Sequence, residues 1–411
     1  MDRAPVRRRY NRVVSHVAGG AARMAPAASA GRALAGFLLS GFLFALLGAV
    51  LPAWGYHRDP PEFVTIGNYF LSLAVGVIAS NPLSARLLAR NGLRFQLVCA
   101  CLVGCAGLVF LVLVTPPAPW LWRVLGLAVI GLAAGLLNAG LFHAVSASYG
   151  REPARTVIIG GIYYGLGCLA VTLLVAGTFY AYTVPVILIL MAIVPAVFAV
   201  LYAGTTMVWQ PSAAPANIRE VLRDFRSVGA ILFALLLFCQ FGNEWSIAGW
   251  LPLFLIRRVG LSPSAALMLL ALYWLFLMTG RVGAVAILPQ IRHAYLLFGS
   301  GIAAMFGCFV LFWTNNWFGA ATGVFFIGAG YASIYPLVAE AIGRRFPYYH
   351  PGFFNGIFSF ALVGGLLAPA TLGYAASGLG VGVVIGIPLI GTITVIALLL
   401  LIWLESKITG R

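Results

Sequence analysis

Residues 183–205 of this chain read TVPVILILMAIVPAVFAVLYAGT and contain no charged side chain. A helix of this length extends about 34 Å, enough to cross the ~30 Å hydrocarbon layer of a bilayer. Lipid offers the backbone no hydrogen-bond partners, so such a segment has to be a helix or part of a closed barrel. Because its apolar residues are continuous rather than alternating with polar ones, the pattern predicts a transmembrane helix.

Apolar runs of similar length recur along nearly the whole sequence of 411 residues. Hydrophobic residues make up 62% of the chain and charged residues 8%, with a mean hydropathy of +1.02, whereas soluble proteins carry roughly 25% charged residues. The composition therefore predicts an all-α integral membrane protein. Twelve transmembrane helices are expected, over residues 32–55, 62–84, 95–115, 119–148, 155–181, 183–205, 228–256, 263–286, 294–315, 317–341, 351–374 and 379–403.

Basic residues are distributed unevenly around the predicted spans. The chain has 25 Lys and Arg against 9 Asp and Glu, for a formal charge of +16. With a cytoplasmic N-terminus, four of the 25 fall in outer segments and the remaining 21 in inner ones. This positive-inside pattern predicts that both termini are cytoplasmic, and no nucleic-acid partner is expected. The four outer residues are Arg58, Arg123, Arg257 and Arg258.

The longest hydrophilic stretch, residues 206–227, falls between the sixth and seventh spans. Within it Ile218, Val221, Leu222 and Phe225 recur at helical spacing, which predicts an amphipathic helix on the cytoplasmic membrane face. Six spans, a linker and six further spans indicate two repeated halves. The predicted domains are a basic cytoplasmic tail at 1–31, a six-helix bundle at 32–205, the linker at 206–227, a second six-helix bundle at 228–404 and a cytoplasmic tail at 405–411.

This layout resembles the major facilitator superfamily, and motifs in the second half resemble its fucose-permease branch of sugar:proton symporters. The resemblance implies two bundles that rock around a site near the membrane midplane and carry a sugar together with a proton. The motifs are QFGNEWSIAGW at 240–250, Tyr273-Trp274, GRVG at 280–283, GAGYASIYP at 328–336, and Gly356 followed by Gly364, Gly365 and Pro369.

The first half departs from the pattern of this branch. The superfamily's loop between spans two and three usually carries an acidic residue where this chain has Ala89. The branch also has acidic residues in spans one and four, whereas span four offers Asn138 and His143 here. Proton coupling is therefore expected through a residue other than the branch's own acids.

Glu244 is the one acidic residue among nine that lies well inside a predicted span. A carboxylate at membrane depth is costly and usually faces a cavity or a partner. Gln240, Asn243 and Glu244 project from one side of the helix, and Gly242 and Gly249 permit local unwinding beside them. We predict that this face binds solute hydroxyl groups and that Glu244 takes up a coupling proton. The alternative is a protonated Glu244 that only bonds to a neighbouring helix.

The middle of each predicted span is expected to lack Lys and Arg. Without a nearby cation, Glu244 would be readily protonated. An anionic solute would find no counter-charge within the membrane. The predicted solute is therefore neutral or polar rather than anionic.

Other polar and aromatic side chains within the spans are candidates for solute binding. Amides bind hydroxyl groups and aromatic faces bind the apolar side of a sugar ring, although Tyr and Trp also populate ordinary membrane interfaces. The predicted substrate-binding residues are Gln240, Asn243, Glu244, Asn138, Tyr273, Trp274, Tyr335 and Asn355. The predicted cytoplasmic gate comprises Arg86, Arg90, Arg281 and Glu340.

Several classes of function lack the residues they need. The only lysine is Lys407, so the sequence has no phosphate-binding Gly-Lys-Ser/Thr loop for ATP-driven pumping. The six cysteines lie in apolar runs without a histidine or carboxylate beside them, which disfavours a metal site. No cofactor, metal or enzymatic activity is expected.

The leading prediction is a secondary active transporter of a small neutral or polar solute, in the first place a sugar, that works by alternating access with proton coupling through Glu244. The alternatives are efflux or flipping of an amphipathic drug-like molecule or lipid, and passive uniport. Two alternatives that are not transporters are a membrane enzyme acting on lipid-linked substrates and a non-transporting sensor. We expect a monomer in the bacterial inner membrane, with a solute, a proton or sodium ion and the lipid bilayer as partners.

Overall fold

The computed structural model describes residues 27–151, 153–205, 227–287, 291–345 and 351–409. Within these residues eleven helices are long and apolar enough to cross a membrane, which confirms the all-α prediction. The predicted basic tail up to residue 26 and the predicted linker helix up to residue 226 lie outside them. The helices are α1 Ala27–Ala53, α2 Phe63–Leu113, α3 Trp120–Arg151, α4 Pro153–Thr178, α5 Val184–Ala203, α6 Val228–Phe254, α7 Pro263–Ile287, α8 His293–Trp313, α9 Trp317–Arg345, α10 Pro351–Leu379 and α11 Val383–Thr409.

The longest helix, α2, is folded back on itself at Gly92. This residue has φ 79° and ψ 174°, a backbone conformation that glycine adopts without steric cost. Gln96 Nε2 donates a hydrogen bond to Ser84 Oγ at 2.7 Å, although twelve residues of straight helix would separate them by about 18 Å. The two arms therefore lie side by side and hold the predicted spans 62–84 and 95–115.

The other ten predicted spans each correspond to one helix. The second and third predicted spans are connected by a sharp turn at Gly92, where the backbone is not helical. The count of twelve membrane crossings and the cytoplasmic termini stay predictions.

The outer surface of the helices is strongly apolar. Large hydrophobic side chains are exposed along it, among them Leu113, Val200 and Phe318, each more than 70% exposed. A continuous apolar surface of this kind is typical of contact with lipid rather than water. Together with the eleven apolar helices, it identifies a multi-pass integral membrane protein.

Glycines set how closely neighbouring helices pack. A Cβ atom on Gly131 of α3 would lie 2.1 Å from the carbonyl oxygen of Leu73 in α2. A Cβ atom on Gly167 of α4 would lie 1.8 Å from the carbonyl oxygen of Leu38 in α1. Since these oxygens belong to the backbone, they cannot move aside as a side chain would. The glycines therefore have the packing role that small residues have in membrane helices.

Helices α1 to α5 meet helices α6 to α11 at several close contacts. On α2 and α10, a Cβ atom on Gly373 would lie 2.5 Å from the Cα atom of Gly67. A Cβ atom on Gly48 of α1 would lie 2.5 Å from the carbonyl oxygen of Ala248 on α6. The side chain of Met278 on α7 packs directly against Gly165 of α4, where a Cβ atom would leave no room for it. The candidate functional side chains lie between these contacts.

We predict that Gly131→Ala destabilises the protein by about 1–3 kcal/mol, the usual cost of overpacking, because its new methyl group meets the backbone of α2. The measurement is thermal unfolding of the purified protein in detergent. Gly177→Ala is the control, since a Cβ atom there meets nothing within 4 Å. Equal melting temperatures for the two variants would contradict the packing role of Gly131 against α2.

Candidate functional site

A small cavity of about 30 Å³ lies where α1, α2 and α4 face α6, α7 and α10. Aromatic rings dominate its walls, with Phe44, Phe70, Tyr164, Trp245 and Trp274 among the lining residues. The rings of Phe44 and Trp245 meet across it with centroids 4.9 Å apart. The volume corresponds to about one water molecule, so this conformation does not accommodate a sugar-sized solute.

A buried ion pair lies beside this cavity. Arg281 Nη2 of α7 is 3.5 Å from Glu244 Oε1 of α6, and the two side chains are 7% and 8% exposed. Arg281 Nη1 also donates a hydrogen bond to the carbonyl oxygen of Gly161 on α4 at 2.9 Å. The guanidinium thus connects a carboxylate on one set of helices with a backbone oxygen on the other.

The prediction that no cation lies near Glu244 is wrong. The sequence analysis assigned Arg281 to the cytoplasmic end of the span 263–286, but its side chain is buried. Arginine has a long side chain, so a residue near the end of a span can bring its charge several ångströms deeper. The argument against anionic solutes, which rested on this absence, is removed.

Gly161 makes the contact with Arg281 sterically feasible. A Cβ atom at this position would lie 2.7 Å from Arg281 Nη1. The sequence showed several glycines in this span but gave no means of telling which of them packs against a helix backbone and which against a charged group.

Several buried polar atoms on α6 and α7 have no hydrogen-bond partner among the described residues. They are both amide atoms of Gln240, the indole nitrogen of Trp274 and Nε of Arg281. Gln240 lies one helical turn from Glu244, and Trp274 lies two turns from Arg281 on the same face of α7. An unsatisfied buried polar group costs about 1–3 kcal/mol, so these atoms are available to a ligand.

Two other predicted site residues bond within the protein. Asn243 Nδ2 lies 3.5 Å from Thr392 Oγ1 on α11, and the hydroxyl of Tyr331 lies 2.8 Å from the same oxygen. Tyr273 donates a hydrogen bond from its hydroxyl to the carbonyl oxygen of Glu244 at 3.2 Å. These contacts hold α6 against α7 and α11. Solute binding by Asn243 and Tyr273 stays a prediction.

Two further predicted substrate-binding residues have contacts with residues other than the ion pair. Asn138 accepts a hydrogen bond from Ser40 Oγ at 2.7 Å, between α3 and α1. Tyr335 packs against Phe241 edge to face, with ring centroids 5.2 Å apart. The side chain of Asn355 lies outside the described residues.

The predicted cytoplasmic gate residues are not brought together. Arg86 and Arg90 are exposed on α2, and Arg281 is the buried partner of Glu244. Glu340 Oε2 lies 3.1 Å from His293 Nε2, at the start of α8. Their role as a cytoplasmic gate stays a prediction.

Contacts that the sequence did not indicate join the π-helical turn after α6 to the connection between α1 and α2. Arg257 Nη2, in the π-helical turn Leu255–Val259 after α6, lies 2.6 Å from Asp59 Oδ1, in the connection between α1 and α2. Arg257 Nη1 donates to the carbonyl oxygens of His57 and Arg58 at 3.2 and 3.1 Å. Burial and the charge of Arg58 lower the pKa of His57, so its imidazole is neutral at neutral pH.

We predict that Glu244→Gln and Arg281→Gln each destabilise the protein by about 3 kcal/mol or more, because each leaves a buried charge without its partner. The double variant removes both charges and should lose clearly less than the sum of the two. Thermal unfolding in detergent measures all three. The exposed residues Glu62 and Arg292, changed singly and together to Gln, provide an additive control. Additive losses for Glu244 and Arg281 would contradict the pairing.

We also predict that Arg257→Gln increases access to the cavity from the side of Asp59. A cysteine introduced at Phe70 should react about two- to fivefold faster with a membrane-impermeant thiol reagent, as expected for loss of a partly exposed ion pair. Arg258→Gln, which changes the exposed neighbouring arginine, should leave the rate unchanged. Equal rates for both variants would show that the contact does not control access.

Comparison with known proteins agrees with this architecture, although no protein-family model matches the chain. An uncharacterized MFS-type transporter from Yersinia pestis is 22% identical over 345 residues, which cover 83% of this chain and 87% of that protein.

Solved structures of transporters share the fold. A D-xylose-proton symporter superposes with a TM-score of 0.71 at 15% identity, covering 91% of this chain and 96% of that one. The nucleoside transporter NupG gives 0.67 at 13% identity, covering 90% and 99%. The E. coli fucose:proton symporter FucP gives 0.59 at 12% identity, covering 91% and 98%. In fold and in this sequence relative, the chain is similar to transporters of the major facilitator superfamily.

Proposed function

We propose that the protein is a secondary active transporter that moves a small polar solute, of the sugar class, by alternating access. Its twelve spans would form two six-helix halves, 32–205 and 228–404, with both termini in the cytoplasm of a bacterium and the chain acting as a monomer in the inner membrane. The main observation that supports this proposal is the cavity between these halves, with the Glu244–Arg281 pair beside it. The shared fold with the D-xylose-proton and fucose:proton symporters supports the solute class.

Contacts on the two sides of the cavity supply the parts of a rocking mechanism. On one side Arg257 joins α6 to the connection before α2 through Asp59. On the other side Arg281 joins α7 to α4 through the carbonyl oxygen of Gly161. Each connection must break for the cavity to open on its side. Alternation follows if only one of them is open at a time.

The ion pair links protonation of Glu244 to the relative movement of the two halves. Ionised Glu244 attracts Arg281 and holds it between α6 and α4. Protonation of Glu244 removes that attraction while Arg281 keeps its charge. The contact with Gly161 then depends on whether Arg281 finds another acceptor, so proton uptake and movement of the halves are coupled.

The aromatic and aliphatic lining keeps one alternative open. Phe44, Phe70, Leu73 and Leu366 line the cavity with few polar atoms between them. Such a surface suits an amphipathic molecule as well as the apolar face of a sugar ring. Efflux of an amphipathic substrate is therefore the second candidate function.

The test is transport by purified protein in liposomes. We expect a proton gradient to drive uptake of a labelled solute from a panel of sugars by the wild-type protein. Glu244→Gln should reduce this uptake roughly tenfold or more, a typical loss for a proton-transfer group, but retain solute counterflow, which needs no net proton movement. Glu62→Gln, which changes an exposed carboxylate, is the control. Transport of amphipathic dyes with no sugar counterflow would favour the alternative.

A further inference from the structure

Arg281 is buried with hydrogen-bonding capacity left over. Its distance of 3.5 Å to Glu244 Oε1 is longer than the about 2.7–2.9 Å of a strong charge-assisted bond. Nη1 bonds to the carbonyl oxygen of Gly161, while Nε has no partner. Arginine presents its N–H groups as a planar fork that fits both oxygens of a carboxylate. Glu244 does not occupy this fork fully.

A second buried arginine provides the contrast. Arg123 donates from Nε to Tyr69 at 2.8 Å and from Nη2 to Tyr56 at 3.1 Å. Its Nη1 donates to the carbonyl oxygens of Val114 and Ala118. All three of its nitrogens therefore have acceptors, as expected of an arginine with a structural role. Arg281 is similarly buried, but its Nε has no acceptor among the described residues.

Other unpartnered groups among the described residues lie on α6 and α7, the helices that carry the ion pair. The indole nitrogen of Trp274, on the same face of α7, is a donor without an acceptor, and Trp274 also lines the cavity. The amide of Gln240 lacks partners one turn from Glu244. Unsatisfied donors outnumber unsatisfied acceptors in this group. A ligand that supplies acceptors, as a carboxylate does, fits it better than hydroxyl groups alone.

Charge balance then specifies how such a ligand would bind. The pair of Glu244 and Arg281 is neutral as a whole, so an added carboxylate would leave a net negative charge at membrane depth, which is costly. Among the described residues, other titratable groups that interact electrostatically with Glu244 are Tyr164 and Cys168 on α4 and Tyr273 on α7. Phenols and thiols are largely neutral at neutral pH. One proton on Glu244 therefore restores neutrality.

We propose that the solute is a polar monocarboxylate of the sugar-acid type, and that its carboxylate replaces Glu244 at Arg281. This inference rests on the proposed transport function and names its substrate class. A proton from the loading side binds to a Glu244 carboxyl oxygen, and the ion pair with Arg281 opens. The solute carboxylate then pairs with the guanidinium. On the opposite side of the membrane the proton leaves Glu244 and the solute carboxylate leaves Arg281, and the two side chains pair again. One proton and one anion therefore cross together without net charge.

The aromatic cavity receives the rest of the solute in this scheme. Trp274 connects the two parts, because its ring lines the cavity and its indole nitrogen has no partner. Flat aromatic faces pack against the C–H surface of a sugar ring, and an N–H group at the edge bonds to an oxygen. The about 30 Å³ of this conformation has to widen by separation of the two halves before the solute enters.

The experiment uses liposomes that contain the purified full-length protein and a trapped pH-sensitive dye. D-glucuronate and D-glucose are added separately as outward-to-inward gradients. We expect D-glucuronate to acidify the lumen at a rate that is unchanged when a potassium gradient and ionophore set the membrane potential, and D-glucose to cause no acidification. Arg281→Gln should lower the D-glucuronate rate roughly tenfold or more, as for loss of a buried charge partner. Arg292→Gln, an exposed arginine, should not change it.

Further measurements distinguish failure of the proposed acidic substrate from failure of the proposed transport function. Glu244→Gln/Arg281→Gln removes both charges without leaving one unpaired; it should fold and still show no acidification. D-glucose counterflow without D-glucuronate transport would overturn the acidic substrate and leave the proposed transport function standing. D-glucuronate transport that survives in Arg281→Gln, or that changes several-fold with membrane potential, would overturn the exchange at Arg281. No transport of either solute by folded protein would overturn both.

Discussion

Hydrocarbon offers neither hydrogen-bond partners nor counter-charges, and the positions of the central helices follow from that constraint. Glu244 and Arg281 are both buried, so each depends on the other and on the protein backbone for the stabilisation that water would otherwise give. The carbonyl oxygen of Gly161 completes this arrangement from α4. The relative positions of α4, α6 and α7 therefore cannot change without altering the environment of two charges.

Small residues make this arrangement geometrically feasible. At Gly161 a single methyl group would collide with the guanidinium, and at Gly165 it would collide with Met278. Helices α4 and α7 can approach because their contact surface lacks side chains at these points. The same surface brings Trp274 against the cavity with its indole nitrogen unpaired. Packing and site chemistry thus depend on the same few positions.

The two connections across the cavity differ in the solvent exposure of their partners. The side chain of Asp59 is 86% exposed, so its pair with Arg257 is screened by water and contributes about 1 kcal/mol or less. Such a contact can break and form repeatedly at small cost. The pair of Glu244 and Arg281 is shielded from solvent, so a change in its charge has a larger energetic effect. A reversible closure and a charge-sensitive centre are what the proposed alternating access needs.

The sequence by itself determined the membrane class and the positions of the helices, and it identified Glu244 as an acidic residue inside a span, because the cost of placing a residue in hydrocarbon depends mainly on that residue and its near neighbours. Only the tertiary structure decided what surrounds Glu244. Arg281 lies 37 positions away in the sequence, and its burial depends on which helices pack around α7 and where its side chain points. Asp59 and Arg257 are 198 positions apart. Contacts of this kind arise from helix packing between distant segments, which local composition does not encode.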